Sequence, residues 1–246
     1  MNVPRIIPVL LIKNRGLVKT INFKKPNYIG DPINAIKIFN DKEADELVLL
    51  DIEATNSKKE IQFDFIKDIV SEAFMPVGYG GGIKNLKDVQ KLFSLGIEKI
   101  IINTLLHTRP NLISELVNNF GSQSIVASVD YKSSLLYKNR PCFSGGTITI
   151  KTDLFDYLKS VEDLGVGEII LQSINKEGGM TGYDLEVIKK ASSLINIPLV
   201  ASGGAGNMKD VKAVIEAGAS AAAAGSIFVY NGPHKAVLIS YSNKIV

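Results

Sequence analysis

The sequence predicts an α/β fold, a (β/α)8 TIM barrel assembled from two half-barrels. Three observations carry the prediction. Eight short β-branched runs alternate with amphipathic stretches, the chain repeats itself at one fixed offset, and glycine clusters fall at corresponding strand ends in the two halves.

The expected strands, in order, are Arg5–Ile12, Glu46–Ile52, Met75–Tyr79, Lys99–Asn103, Ser124–Asp130, Glu168–Ser173, Ile197–Ser202 and Ala221–Ser226. Each is followed by a stretch long enough for a helix, such as Asn85–Leu95 and Met208–Ala217, and strands separated by helices pair in parallel. A shift of 122 positions lays Gly81-Gly82 on Gly203-Gly204, Asn85 on Asn207, Asp88-Val89 on Asp210-Val211, Gly96 on Gly218 and Glu46 on Glu168. Four strand-helix units per half close an eight-stranded barrel with approximate two-fold symmetry. At 246 residues the chain matches the size of one such barrel, about 250 residues, and no Pro/Gly/Ser-rich linker divides it, so residues 1–246 are read as one domain.

Composition narrows the class. There is no uninterrupted apolar run of membrane-spanning length and no charged-then-apolar leader, so a soluble cytoplasmic protein without a membrane partner is expected. Cys142 is the sole cysteine; it excludes an intrachain disulfide or a thiolate metal cluster and reads as a free structural thiol. The net charge of +3 is small and the lysines are dispersed, which leaves no footprint for nucleic acid, although an anionic small molecule stays open. With His107 and His234 the only histidines, and no metal-ligand spacing around them, neither a metal site nor a cofactor is expected.

In barrels of this class the chemistry sits where strands end. Tyr79-Gly80-Gly81-Gly82 and Ser202-Gly203-Gly204-Ala205-Gly206 each follow a strand and precede a helix, where glycine lets backbone N–H groups approach an anion. Asn103-Thr104 and Gly225-Ser226, at the ends of the next strands, add further donors. Two phosphate sites on opposite sides of the mouth follow; the alternative is that these glycines only make tight turns.

Asp130, at the end of strand 5, is placed to act as general acid or base on a ligand held between the two sites, unless it merely caps its loop. Aligning Ile6–Lys13 with Ile125–Lys132 puts Leu11 where a second carboxylate would stand. Asp51, at the end of strand 2, is a second candidate for polar contact with the ligand. At the other end of the barrel Arg5, Glu46, Lys99 and Glu168 each begin a strand. Two cations and two anions there form either a closed neutral ring or four ordinary solvated strand starts.

The stretches Arg5-Ile6-Ile7, Gly30-Asp31-Pro32, Gly80-Gly81-Gly82-Ile83, Phe120-Gly121-Ser122-Gln123, Gly167-Glu168-Ile169, Gly182-Tyr183-Asp184 and Ala201-Ser202-Gly203-Gly204-Ala205-Gly206 resemble the cyclase subunit of imidazole glycerol phosphate synthase, HisF. The resemblance spans nearly the whole chain. It implies a half-barrel duplication that receives ammonia from a glutaminase subunit, HisH, docked at the N-terminal face, and conducts it through the barrel. Position by position, it assigns Arg5, Glu46, Lys99 and Glu168 to the salt-bridged tunnel entrance. Gly82, Asn103 and Thr104 match one phosphate site; Gly204, Ala205, Gly225 and Ser226 match the other, and Gly178 is counted with the phosphate-binding residues. Asp130 matches one of two catalytic aspartates, with Leu11 in the place of the other, and Lys19 and Ser144 match residues lining the substrate mouth.

Leucine neither donates nor accepts a proton, so the family's usual ring closure is expected to be weakened or lost. The loop Gln172-Ser173-Ile174-Asn175-Lys176-Glu177-Gly178-Gly179 also departs from the family's aspartate-rich Thr-Ser-x-Asp-x-Asp-Gly-Thr. The opening Arg5–Lys13, with Gly16–Thr20 and Asn22–Lys24, is similar to HisF paralogues of surface-polysaccharide sugar amidation, the WbuZ type. In that setting such a pair supplies ammonia to a separate sugar amidotransferase. Three functions are therefore weighed: an ammonia-conducting HisF-type subunit paired with a glutaminase, a working cyclase of histidine biosynthesis, and a non-catalytic phospholigand-binding regulator of the glutaminase. A related single-chain isomerase shares the fold, but the charged set at the barrel bottom argues against it.

Overall fold

The computed structural model describes residues 4–54 and 60–242. Eight parallel strands form the barrel: β1 (Arg5–Lys13), β2 (Leu47–Asp51), β3 (Val77–Gly80), β4 (Lys99–Ile102), β5 (Ile125–Ser134), β6 (Glu168–Ser173), β7 (Leu199–Ser202) and β8 (Ala221–Ala224). Each pairs with its neighbours in sequence, and the register of Arg5 beside Ala221 joins β1 to β8 and closes the sheet. Around it lie α1 (Pro32–Asp41), α2 (Phe63–Val70), α3 (Leu86–Ser94), α4 (Thr104–Thr108), α5 (Pro110–Phe120), α6 (Leu154–Glu162), α7 (Leu185–Ser192), α8 (Met208–Glu216) and α9 (Ser226–Val229).

Side chains alternate across a strand, so each strand supplies two cores. Outward residues such as Leu47, Ile100, Ile125 and Ile169 meet the buried helix faces of Phe39, Leu92 and Leu158. Inward residues Ile7, Val48, Ile101, Val126, Ile170 and Val200 fill the bore, with the small Ala221 and Ala223 on β8. At roughly 25 cal/mol per Å² of apolar surface, this double burial is the main stabilising term.

The repeat seen in the sequence recurs in the backbone. Asn85 and Asn207 take nearly the same extended conformation (φ −159° and −164°) and cap α3 and α8, accepting from the N–H groups of Asp88 and Asp210. Past the other ends of these helices Gly96 and Gly218 adopt φ of 100° and 107°, a region a β-carbon disfavours.

Boundaries move by a few residues. Strand β3 starts at Val77 instead of Met75, Glu46 stands one residue ahead of β2, and Ser226 opens α9 instead of ending β8. A larger difference is a set of antiparallel excursions that the strand-helix rhythm did not predict. After β1 come strands Gly16–Ile21 and Lys24–Gly30; after β5 come Tyr137–Phe143 and Ile148–Thr149. Both leave the first strand of a half-barrel at its C-terminal end, so they rise over the same mouth. A short ribbon pairs Tyr230–Asn231 with Ala236–Val237.

Candidate functional site

At the N-terminal end of the barrel Arg5, Glu46, Lys99 and Glu168 pair with one another in a closed ring. The Arg5 guanidinium binds both Glu46 and Glu168. The Lys99 ammonium lies 2.9 Å from Glu46 Oε1 and 3.0 Å from Glu168 Oε2, so each carboxylate takes both cations. Glu46 and Glu168 are 4% and 6% exposed. A carboxylate so buried is costly unless paired, which is why the ring closes and the strand starts are not solvated. Strand geometry sets this arrangement: Arg5, Lys99 and Glu168 open their strands, Glu46 stands just ahead of β2, and each lies two residues before an inward residue of the next layer, Ile7, Val48, Ile101 or Ile170.

At the opposite end a cavity of about 440 Å³ opens. Gly82, Asn103, Thr104, Gly178, Gly204, Ala205, Gly225 and Ser226 all line it, and it reaches down to Val48, Ile101 and Ile170 in the bore. Its two glycine-loop sides have the same construction. Gly81 has φ of 120°, and a β-carbon there would stand 2.4 Å from the Asp51 carbonyl oxygen; its repeat counterpart Gly203 has φ of 90°, and its β-carbon would stand 2.6 Å from the carbonyl oxygen of Ser173, the counterpart of Asp51. Asn103 (φ −119°, ψ −75°) and Gly225 (φ −118°, ψ −58°) turn the chain alike into α4 and α9. Neither helix has a side-chain cap on its first N–H groups, the arrangement in which an anion can serve as the cap. Asn103 also lines the cavity, and its side-chain amide donates to the Ser128 carbonyl at 2.9 Å.

Asp130 lines the cavity at 7% exposure, and burial pushes its carboxyl up to about 8. A carboxyl so placed is protonated near neutrality and can donate a proton. On β6 the residue in register with it is Gln172, whose Oε1 accepts from Ser202 Oγ at 2.5 Å. This wall is polar. On the facing side β1 and β2 contribute the apolar Val9, Leu11 and Leu50, with Asp51 at the end of β2 the one polar side chain of these strands there. Cys142 is buried beside Asp130, its Sγ 3.5 Å from the Asp130 carbonyl oxygen; burial raises its thiol to about 12, so it is held as an unreactive thiol.

The other expected contacts fall out differently. Asp51 lines the cavity, but its Oδ1 accepts from the N–H groups of Glu53 and Ala54, both at 3.0 Å, so one carboxylate oxygen is spent on its own loop. Ser144 is a turn residue (φ 52°) that does not line the cavity; its neighbour Gly145 does. Lys19 lines the cavity almost wholly buried, its Nζ packed 2.0 Å from where a β-carbon on Gly225 would lie, and burial lowers its pKa against the pull of Glu177.

Glu177 is the residue that the sequence reading missed. Buried in the loop after β6, it accepts from Thr20 Oγ1 at 2.9 Å and from Phe23 N at 3.0 Å, and its carbonyl accepts from Asn22 N at 3.0 Å. It therefore ties the first hairpin over the mouth. Gly178 explains itself through the same contact: a β-carbon there would lie 2.1 Å from the Thr20 carbonyl oxygen. The sequence held one signal, an acidic residue within a loop that departs from the pattern it resembles. Among the described residues no group of three His, Cys, Asp or Glu is placed to hold a metal ion, and no helix is long and apolar enough to cross a membrane.

Residues 5–235 match the family model described as histidine biosynthesis protein. A protein of Leptospira borgpetersenii, provisionally named imidazole glycerol phosphate synthase subunit HisF, is 48% identical over 98% of this chain and 95% of its own length. One of Pseudomonas aeruginosa, provisionally named imidazole glycerol phosphate synthase subunit hisF2, is 46% identical over 96% of this chain and 95% of its own. The imidazole glycerol phosphate synthase subunit HisF of Wolinella succinogenes is 40% identical over 92% of this chain and 89% of its own.

Proposed function

The chain belongs to the histidine biosynthesis protein family as a HisF-like subunit, and from that premise we propose that it conducts ammonia from a HisH-type glutaminase through its barrel to a ligand-binding mouth. In this reading the partner docks at the N-terminal face, where the ring of Arg5, Glu46, Lys99 and Glu168 is the gate. The mouth takes a phosphorylated small molecule with an anion at each glycine loop: Gly82, Asn103 and Thr104 on one side, and Gly204, Ala205, Gly225 and Ser226, with Gly178 nearby, on the other. Lys19 and Asp51 contact the ligand, Ser144 supports the rim, and residues 1–246 work as a single domain.

The observation that carries the reading is the pairing of an intact ring with an incomplete acid/base set. Conducting ammonia needs the ring and the bore. Cyclisation by two carboxylates needs a second acid where Leu11 stands. We therefore place the chain with the WbuZ-type paralogues, delivering nitrogen to a sugar amidotransferase of surface-polysaccharide synthesis, in the cytoplasm and without a resident cofactor. The test is a reconstitution with the glutaminase and that amidotransferase: nitrogen transfer from glutamine that requires this chain supports the proposal, and transfer that proceeds equally without it contradicts it.

A second reading is favoured by one observation. Asp130, with its carboxyl raised to about 8, is a competent proton donor near neutrality, and a cyclase that works with this single acid would be an active imidazole glycerol phosphate synthase subunit. Turnover of the histidine-pathway substrate at the rate of a two-aspartate relative would establish it.

A further inference from the structure

The two hairpins over the mouth carry charge of one sign. From Lys13 to Gly30, and again from Tyr131 to Thr152, the chain contains no Asp or Glu. These segments hold nine of its 28 basic residues and none of its 25 acidic ones, so the remainder, with 19 basic against 25 acidic, is net negative. The small net charge thus conceals a separation along the chain, carried at the surface by cations other than the buried Lys19 and Lys13, which pairs with Glu53 at 3.7 Å. Lys24, Lys25, Lys138 and Lys151 are exposed on these segments.

Large apolar side chains stand out among these cations. Leu135 and Leu136, at the turn between β5 and Tyr137–Phe143, are 106% and 94% exposed. Ile21 and Ile148 are about half exposed. The hairpins and the loop after β6 form one surface: a β-carbon on Gly146 would lie 3.6 Å from the Phe23 ring and 2.6 Å from Ile174, and Asn175 accepts from Ser133 N at 2.7 Å. Exposed leucines flanked by cations, on a face opposite the ring, make a rim for an acidic surface with an apolar recess.

We infer that this rim docks the nitrogen-accepting enzyme, an acidic protein that seats Leu135 and Leu136 and covers the mouth. This rests on the reading that nitrogen leaves through the mouth to a second enzyme. An anionic bilayer also attracts cations and leucines, but a bilayer lying on this face would seal the cavity against a membrane with nothing to accept the nitrogen. A protein can continue the path. Charge steers the encounter and the leucines hold it, so the two contributions are separable by salt.

The test titrates the sugar amidotransferase of the same organism onto the chain held in its glutaminase complex, at low and at physiological salt. Wild type should bind, and more weakly as salt rises. Leu135→Asp/Leu136→Asp should weaken binding by about tenfold or more, and Lys24→Glu/Lys25→Glu should weaken it while flattening its salt dependence. Phosphate binding at the mouth should be unchanged in both, which checks that each variant is folded. Equal binding by the variants, or no binding by wild type, overturns the inference. So does flotation of wild type with phosphatidylglycerol vesicles, lost in the same variants, without binding to the amidotransferase. Docking is read without nitrogen transfer, so a failure of ammonia passage is scored separately from a failure of this rim.

Discussion

Leu11 and Asp130 occupy equivalent places in the two half-barrels. Each lies two residues before a lysine near the end of the first strand of its half, and each is paired with the returning arm of a hairpin, Leu11 with Val18 and Asp130 with Cys142. Both line the mouth. Leu11→Asp would restore a symmetric carboxylate pair, and we expect it to raise the rate of cyclisation with ammonium as nitrogen donor by about 10²-fold, the lower end of what a general acid or base contributes. Steady-state kinetics on the histidine-pathway substrate measures it. A rate no higher than wild type would mean that the missing group is not what limits the reaction.

Asp130 makes stability depend on pH in a definite direction. Its folded value, raised by burial to about 8, lies above its ordinary 3.8, so between these the folded state holds a proton that the unfolded state has lost. The contribution of this group is fully present below the unfolded value and is lost as pH rises through the folded one. Asp130→Asn should therefore be more stable than wild type at about pH 9, with the advantage shrinking toward about pH 4. Urea unfolding across that range checks it; an advantage that grows on acidification would contradict the burial account.

The two proposed anion sides can be separated by glycine substitution. At Gly225 a β-carbon meets the flexible end of Lys19 and lies 3.0 Å from the Val9 carbonyl oxygen, whereas at Gly204 it meets backbone at 2.2 Å in a left-handed conformation. Gly225→Ala should remain folded, displace Lys19 and weaken phosphate binding on its own side, leaving the Asn103/Thr104 side intact. Gly204→Ala should cost stability as well, on the order of 1–3 kcal/mol. Phosphate titration followed by NMR of the Thr104 and Ser226 amides distinguishes the sides.

Glu177 fixes the first hairpin through Thr20 and Phe23. Removing a carboxylate that satisfies two buried donors costs about 1–3 kcal/mol locally, so Glu177→Ala should free the hairpin without unfolding the barrel. Faster tryptic cleavage after Lys24, Lys25 being shielded by the Pro26 that follows it, at unchanged melting temperature, is the expected outcome. Unchanged cleavage would show that other contacts hold the hairpin.

The barrel was readable in the sequence because its determinants are local and repeated: apolar runs at strand spacing, asparagine caps at Asn85 and Asn207, and glycines at 81, 82, 203 and 204. The hairpins were not. Lys24–Gly30 is mostly exposed and follows an apolar strand with only a short turn, so neither alternation nor a strong turn signal marks it. The charged ring was visible as four residues at strand starts, but its closure depends on barrel geometry that brings Arg5 and Glu168 together across 163 positions. Turn geometry decides that Gly145, next to Ser144, lines the cavity, and no local pattern encodes that choice. Glu177 works through long-range contacts that no periodicity encodes.

Ammonia is proposed to enter this barrel through the ring. Lys99→Ala leaves Glu46 and Glu168 sharing Arg5 alone, an unbalanced charge at the entrance, while the broad face around it is untouched. In the reconstituted complex the decisive quantity is the ratio of glutamate released to nitrogen delivered, with glutamine or ammonium as donor. The Lys99 variant is expected to bind the glutaminase still, to release glutamate in excess of nitrogen delivered, and to recover delivery when ammonium is supplied. A ratio equal to wild type with glutamine as donor would contradict entry through the ring.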